Sequence, residues 1–388
     1  MESLPLLSLY IHYPWCVRKC PYCDFNSHTL KDEGAQRRYL QALIDDLTLD
    51  LPSIWGRPIE TIFFGGGTPS LIDPELLADF ISQLRALLNL KAATEITLEA
   101  NPGTAEQQRF QDFREAGINR LSIGVQSFDD GRLTALGRIH SGQEAIKAVE
   151  MAHRAGFDSI NLDLMFGLPD QSIGEASKDL AQALTLQPQH ISYYQLTIEP
   201  NTAFAYAPPV CPDDDEIWQM QQHGVEQLAK GGFERYEISA YALNGEQGGE
   251  QCRHNLNYWQ FGDYLGIGAG AHGKITHPHP YSVERRWKRR HPDEYMTSSQ
   301  SEGRIAGRQQ LSRDDLILEF MMNALRLVDG FDESIFALHT ALSSNDISER
   351  LERASERGMI RWEGGRIAPT DRGTNYLNDL LQLFAGDL

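Results

Sequence analysis

The sequence predicts an α/β protein: a partial (β/α)6 TIM-like barrel, then a C-terminal extension and a small winged-helix-like α+β module. Three observations lead there. Between residue 8 and about 200, an apolar β-branched run, a polar loop and a helical pattern recur six times, the signature of a parallel sheet with crossover helices. Glycine runs, lone carboxylates and amides gather just after the apolar runs (GGGTP, EANP, Gln126, Asp163, Glu199), at the edge where parallel α/β folds build their sites. The texture then changes near residue 205 and again near 311.

The expected strands are SLYIHY (8–13), TIFFGGG (61–67), EITLEANP (95–102), RLSIGVQSF (120–128), SINLDLMFGLP (159–169) and HISYYQLTIEP (190–200). Between them the apolar residues recur at helical spacing over 36–51, 73–88, 104–117, 143–156 and 174–187. A closed barrel needs eight such units; six favour a partial one, although alternation alone is also compatible with a doubly wound sheet. This core spans 1–205. The extension, 206–310, begins with the proline- and aspartate-rich connector APPVCPDDDE (207–216). A helix (216–230), a YEISAYA strand (236–242), a glycine-rich turn and the segment CRHNLNYWQFGDYLGIGAGAHG (252–273) follow. The polar stretch 281–310 reads as a loop excursion. In the module, 311–388, helical patterns at 313–328, 332–342 and 346–357 precede a hairpin centred on Gly364 and Gly365 and a closing helix, NYLNDLLQLF.

Composition excludes some functions. The formal charge of -19 repels phosphate backbones, and the module lacks a basic recognition helix, so nucleic acid is not an expected partner. No apolar run is long enough to span a bilayer, which leaves only peripheral membrane contact. The N-terminus has an acidic second residue and no basic region, unlike a signal peptide, and a cytoplasmic protein is expected. Three of the five cysteines fall in CVRKCPYC, as Cys16, Cys20 and Cys23. That clustering points to metal ligands and not to a disulfide framework.

Zinc sites usually present four ligands in two separated pairs. Three close thiolates cover three irons of a [4Fe-4S] cubane and leave the fourth open to an amine and a carboxylate. A zinc site completed by a distant ligand, or three buried thiols, are the alternatives. The run Gly65–Gly66–Gly67–Thr68–Pro69 after the second strand allows a ligand close approach to backbone N–H and C=O groups.

With these motifs in order (YIHYPWCVRKCPYCDF, FFGGGTPSLI, EANPG, RLSIGVQSF, LGRIH, NLDLMFGLP, YQLTIEPNT, HNLNYW), nearly the whole chain resembles the radical S-adenosylmethionine proteins of the oxygen-independent coproporphyrinogen III oxidase group, and within it the heme chaperone branch. The resemblance implies that Cys16, Cys20 and Cys23 bind the cluster. It implies S-adenosylmethionine contacts from Tyr10, Tyr22, Gly66, Gly67, Thr68, Glu99, Gln126, Arg138 and Asp163. Arg138 suits a ligand carboxylate, and Glu99 and Asp163 suit an ammonium or ribose hydroxyls.

Two departures separate the chain from the oxidases of this group. They carry a further cysteine two residues after the third ligand, where this chain has Phe25, and a longer N-terminal extension, where only nine residues precede Tyr10. Coproporphyrinogen oxidase activity is therefore the second reading. The first is a chaperone that binds heme and passes it to acceptor proteins, respiratory ones among them, acting as a monomer or cluster-dependent dimer. For heme, HNLNYW offers His254, with Cys252 and His272 as alternatives. The basic run RRWKRRH (285–291) is read as a solvated loop.

Overall fold

Each of the six apolar runs forms a strand, and a helix returns the chain after each of the first five, because each helix buries one apolar stripe against the sheet. Residues 4–29, 34–104, 107–244 and 250–385 are described in the computed structural model of the chain. The elements are β1 (Leu7–Tyr13), α1 (Ala35–Asp50), β2 (Pro58–Gly66), α2 (Pro74–Leu87), β3 (Asn89–Ala100), α3 (Gln107–Ala116), β4 (Arg120–Gln126), α4 (Gly142–Arg154), β5 (Ile160–Phe166), α5 (Ile173–Thr185) and β6 (His190–Gln195). The start of α2 shows how local sequence sets the boundaries. Asp73 caps it by accepting from Glu75 N (3.0 Å) and Leu76 N (3.2 Å), Pro74 fills the first turn, and Leu77, Phe80, Ile81 and Leu84 form the buried stripe. Serine–glutamate capping boxes open α4 and α5.

The extension continues the same sheet. Its elements are α6 (Asp214–Lys230), β7 (Phe233–Glu237), β8 (Ala240–Leu243), α7 (Arg253–Trp259), β9 (Asp263–Ile267), β10 (His272–Pro278), β11 (Tyr281–Lys288), α8 (Pro292–Ser298) and β12 (Ile305–Gln310). The sheet order is β12-β11-β10-β9-β1-β2-β3-β4-β5-β6-β8-β7. β9 pairs in parallel with β1, and β1 to β6 are parallel in sequence order. The outer pairs are antiparallel. The sheet is the six-unit partial barrel, widened on both sides.

Two expectations for the extension are corrected. YEISAYA is a tight antiparallel hairpin, β7–β8, whose turn falls at Ile238 and Ser239. The segment 281–310 is ordered structure: β11, α8 and β12. The glycine-rich turn at 245–249 lies outside the described residues.

The basic run is not a solvated loop either. Arg286 and Lys288 alternate inward from β11 and, with Arg304, meet Asp46 and Asp50 of α1. All five are buried. The reason is periodicity: on a strand every second residue faces one side, so a basic run presents two cations to a matching acid pair on α1, whose residues i and i+4 share a face. Only Arg289 and Arg290 of the run's strongly basic residues remain exposed.

The module comprises α9 (Arg313–Ala324), β13 (Phe331–Asp332), α10 (Glu333–Thr340), α11 (Ser348–Glu356), the hairpin β14 (Ile360–Glu363) and β15 (Arg366–Pro369), and two short closing helices, Asp371–Asn375 and Leu377–Gln382, where one was expected. β13 joins the hairpin as a third strand. The module has its own apolar core, which takes in Phe261 and Val283 from the extension. Arg326–Glu237 (2.9 Å) and His339 Nδ1 to Gln260 O (2.7 Å) also dock it there.

Candidate functional site

The cysteines lie in the loop after β1, and the fold pins that loop on three sides. At its root Gly67 N donates to Tyr13 O (2.7 Å) and Thr68 N to Trp15 O (2.8 Å). The ribbon Trp15–Cys16 with His28–Thr29 closes it, and Cys23 N to Cys20 O (3.1 Å) makes a turn inside it. Farther out, Pro21 O accepts from Phe204 N (3.0 Å). The glycine run serves this packing as well as any ligand: a Cβ on Gly67 would lie 2.6 Å from Trp15 O, and one on Gly66 (φ +113) 2.6 Å from the His12 ring.

The loop roofs a cavity of about 510 Å³ at the C-terminal edge of the sheet, within the usual size range for small-molecule sites. Cys16, Cys20, Cys23, Tyr22, Gly66, Gly67, Thr68, Glu99, Gln126, Arg138 and Asp163 all line it, so the loop after β1, the strands β2 to β5 and the turn after β4 each contribute. Among the described residues, the three thiols share this space without being drawn to a single ligating point. Among the described residues no fourth cysteine and no histidine lines it. Three free thiols, an open face and neighbouring backbone N–H groups fit a [4Fe-4S] cluster with one accessible iron better than tetrahedral zinc.

Each polar group is held by the fold. A bulge between Gly124 and Gln126 puts Gln126 at φ 69, where its Oε1 accepts from Tyr194 OH (3.0 Å). Arg138 donates to Gly124 O (2.8 Å) and to Cys20 Sγ (3.8 Å), and among the described residues its Nε is buried without a partner. Asp163 accepts from Asn161 Nδ2 (2.8 Å) and Ser122 Oγ (3.3 Å). Glu99 accepts from Gly66 N (3.1 Å). Burial, with the Asp163 charge adding to it, pushes Glu99 up to about 8. Burial pushes the Cys16 and Cys23 thiols up, with Thr68 opposing it at Cys16; a cationic metal is what would reverse that. Buried acids facing an arginine and three thiols suit a zwitterionic ligand with a carboxylate, an amine and hydroxyls. Tyr194, Asn101 and Glu199 also line the cavity. Tyr194 was not singled out from the sequence, because alternating burial in HISYYQ does not reveal which tyrosine faces the site.

Two predicted residues lie elsewhere. Tyr10 faces an adjoining cavity, its OH on His12 Nδ1 (3.0 Å) and its ring on Phe63. His254 is 1% exposed. Its Nδ1 meets Thr61 Oγ1 (2.7 Å) and its Nε2 meets Tyr258 OH (3.0 Å), so neither nitrogen is free for iron. The backbone N–H of His254 donates to Glu95 (3.0 Å), and α7 packs against β2. His254 thus fastens the extension to the barrel. Cys252 is also buried, with its thiol on Glu95 (3.8 Å).

The comparisons bear on the family and the fold. The model of the radical SAM superfamily matches residues 10–181, and that of the HemN C-terminal domain matches 311–374. "Heme chaperone HemW" of Escherichia coli K12 is 48% identical over 388 residues, with 100% of both chains covered, and that of Haemophilus influenzae is 46% identical over 99% of each. A bovine mitochondrial "Radical S-adenosyl methionine domain-containing protein 1" is 38% identical over 96% of this chain and 86% of its own. The solved coproporphyrinogen III oxidase (HemN) of Escherichia coli superposes with a TM-score of 0.83 over 99% of this chain and 91% of its own at 22% identity, which speaks to the fold. With its barrel, cysteine loop and full-length relatives taken together, the chain belongs to the HemW family of the radical SAM superfamily.

Proposed function

We propose that this chain is a heme chaperone, binding heme and passing it to acceptor proteins, respiratory ones among them, from a radical SAM scaffold. The observation that carries the reading is the full-length likeness to proteins named heme chaperones. Phe25 favours it over oxidase activity: it stands where the resembling oxidases have a cysteine, and it is an exposed aromatic on the wall of the cavity. Five unpaired thiols suit the cytoplasm.

In this reading Cys16, Cys20 and Cys23 would hold the cluster, and the Gly66–Thr68 backbone would receive S-adenosylmethionine. Bound there, the cluster would supply an electron and an open iron for the ligand's amine and carboxylate. Arg138, already partly spent on Gly124 O and Cys20, turns its remaining donor capacity to the ligand carboxylate. Glu99 and Asp163 accept from its amine and ribose hydroxyls. Tyr22, resting on Phe204, covers the adenine side. Tyr10 takes no part in this cavity.

Anaerobic reconstitution with iron and sulfide, followed by hemin titration read in the Soret band, tests the proposal. The intact chain is expected to bind both cluster and hemin, and each cysteine-to-alanine variant to lose cluster iron. Catalytic conversion of coproporphyrinogen III to vinyl product, with S-adenosylmethionine and reductant, would overturn it.

A further inference from the structure

Two more cavities adjoin the first. One, of about 440 Å³, shares Asp24, Phe25, Gly66 and Glu99 with the cysteine cavity. The next, of about 380 Å³, shares Tyr10, His12, Gly270 and His272 with it. They form a continuous cleft leading from the cysteine loop along the β10–β11 edge, walled by Phe25, Tyr10, Trp287, Tyr258 and Tyr264. Aromatic rings recur along it, with charged groups such as Lys274, Arg285 and Arg290 between them, which suits a large flat ligand with anionic edges.

Two histidines line this cleft, and their ring nitrogens differ. His12 is buried and spends both, on Tyr10 OH (3.0 Å) and Asn26 O (2.8 Å). His272 begins β10 and stands exposed at the junction of the two cavities. Its cross-strand partner is Trp287, whose ring lies 6.1 Å away and nearly parallel (22°). Stacking engages the face of the imidazole and leaves both nitrogens at its edge. Among the described residues neither nitrogen has a hydrogen-bond partner, and partial burial of the ring, with Arg285 and Arg290 near it, lowers its pKa below the ordinary imidazole value, which favours the neutral form that an iron ligand needs.

The cations of the cleft can be sorted in the same way. Lys274 is paired with buried Asp263 (2.9 Å), and Arg285 with Glu319. Arg290 lines the same cavity as His272 with an exposed guanidinium that makes no ion pair or side-chain hydrogen bond among the described residues. Among the described residues the indole N–H of Trp259 is buried without a partner in the further cavity.

Resting on the heme-binding reading above, we propose that His272 is the protein ligand to the heme iron and that Arg290 receives a propionate. The macrocycle then lies between Phe25 and the aromatic wall of the β10–β11 edge, next to the S-adenosylmethionine cavity. HNLNYW contributes Tyr258 and Trp259 to that wall, and its histidine acts only in the fold.

The test is hemin titration of the full-length, cluster-reconstituted chain, read by Soret position and affinity, for the unmodified protein, His272→Ala, His254→Ala and Arg290→Glu. Losing a contact that merely supports a metal ligand weakens binding by about 10–100-fold, so His272→Ala is expected to lose at least that much and to shift the Soret band while keeping its cluster iron. Added imidazole should restore the original spectrum by entering the space left by the ring. Arg290→Glu should weaken binding without moving the band, and His254→Ala should leave the band where it is. An unchanged band and affinity in His272→Ala, or a loss that imidazole does not reverse, overturns the assignment while leaving the heme reading intact. If the unmodified chain fails to bind hemin, the heme reading itself falls.

Discussion

Replacing Asp46 by asparagine should be among the most damaging isosteric changes in this chain. Asp46 Oδ1 accepts from Lys288 and from Arg304 Nε (2.7 Å), and Oδ2 from Tyr295 OH (2.6 Å). Asp50 takes Lys288 (2.7 Å), Arg286 (3.0 Å) and Arg304 (2.7 Å). Three buried cations thus share two buried carboxylates, while Glu284 and Glu302 touch the cluster only from its partly exposed rim. Asp46→Asn keeps the shape but leaves three cations around Asp50 alone. Breaking a buried ion pair from one side costs about 3–5 kcal/mol, and a large domain loses about 2 °C of Tm per kcal/mol, so Tm should fall by about 6–10 °C. Among the described residues the neighbouring Asp45 accepts from the side-chain amides of Gln41 on Oδ1 and Gln300 on Oδ2, both exposed bonds; an asparagine oxygen keeps one and water can take the other, so Asp45→Asn should stay within about 0.5 kcal/mol. Differential scanning calorimetry of the two variants decides the matter. Equal Tm values for Asp46→Asn and Asp45→Asn would refute the reasoning, because the buried cations would then be compensated by something else.

Three further outcomes follow from the site. Glu99, raised from 4.5 to about 8 by burial and then by Asp163, contributes stability that is present below its unfolded value and is lost as pH rises towards about 8. A cationic ligand should drive its proton off, so calorimetry of S-adenosylmethionine binding at pH 7 in two buffers should show proton release that Glu99→Gln lacks. The difference between the two proteins is the readout, since the ligand's own amine titrates near 8. Gly67→Ala would force a Cβ to within 2.6 Å of Trp15 O, and should lower iron and sulfide incorporation with little change in far-ultraviolet circular dichroism. Tyr39→Phe removes the hydroxyl that donates to His12 O (2.8 Å) and accepts from Ala269 N (2.7 Å); leaving that buried pair unmade should cost about 1–3 kcal/mol in urea unfolding.

The barrel was legible because its signals are local: an apolar run, a cap such as Asp73, and a stripe such as Leu77–Phe80–Ile81–Leu84 identify themselves within one helical segment. The cysteine cavity was legible because its groups follow strands, and parallel strands deliver their ends to one edge. What the sequence hid depends on pairing across more than two hundred residues. Nothing near Arg286 or Lys288 announces that Asp46 and Asp50 will neutralise them, so a basic run in a polar stretch read as solvent-facing. HNLNYW misled for a related reason. A histidine among aromatics is equally a ligand and a buried hydrogen-bonding strut, and only the positions of Thr61 and Tyr258 on either side of the ring decide between them. His272 drew less notice because glycines and alanines surround it, and its aromatic partner, Trp287, arrives only through strand pairing.

The same long-range pairing explains why the cysteine loop and the β10–β11 edge belong to one piece of machinery. Asn26, three residues after Cys23, donates to both Ala269 O (2.9 Å) and Arg290 O (2.8 Å), and Tyr39 bridges His12 to Ala269 in the layer beneath. On the other side, the ion-pair cluster holds Lys288, two residues before Arg290, against α1. The loop that carries the three thiols and the edge that carries His272 and Arg290 therefore rest on shared struts. Neither can shift by more than a hydrogen-bond length without breaking contacts of the other. A cysteine in place of Phe25 would lose the aromatic surface where the two cavities meet. The phenyl ring instead lines both the thiol-lined space and the aromatic cleft, a flat surface suited to a macrocycle held beside the cofactor cavity.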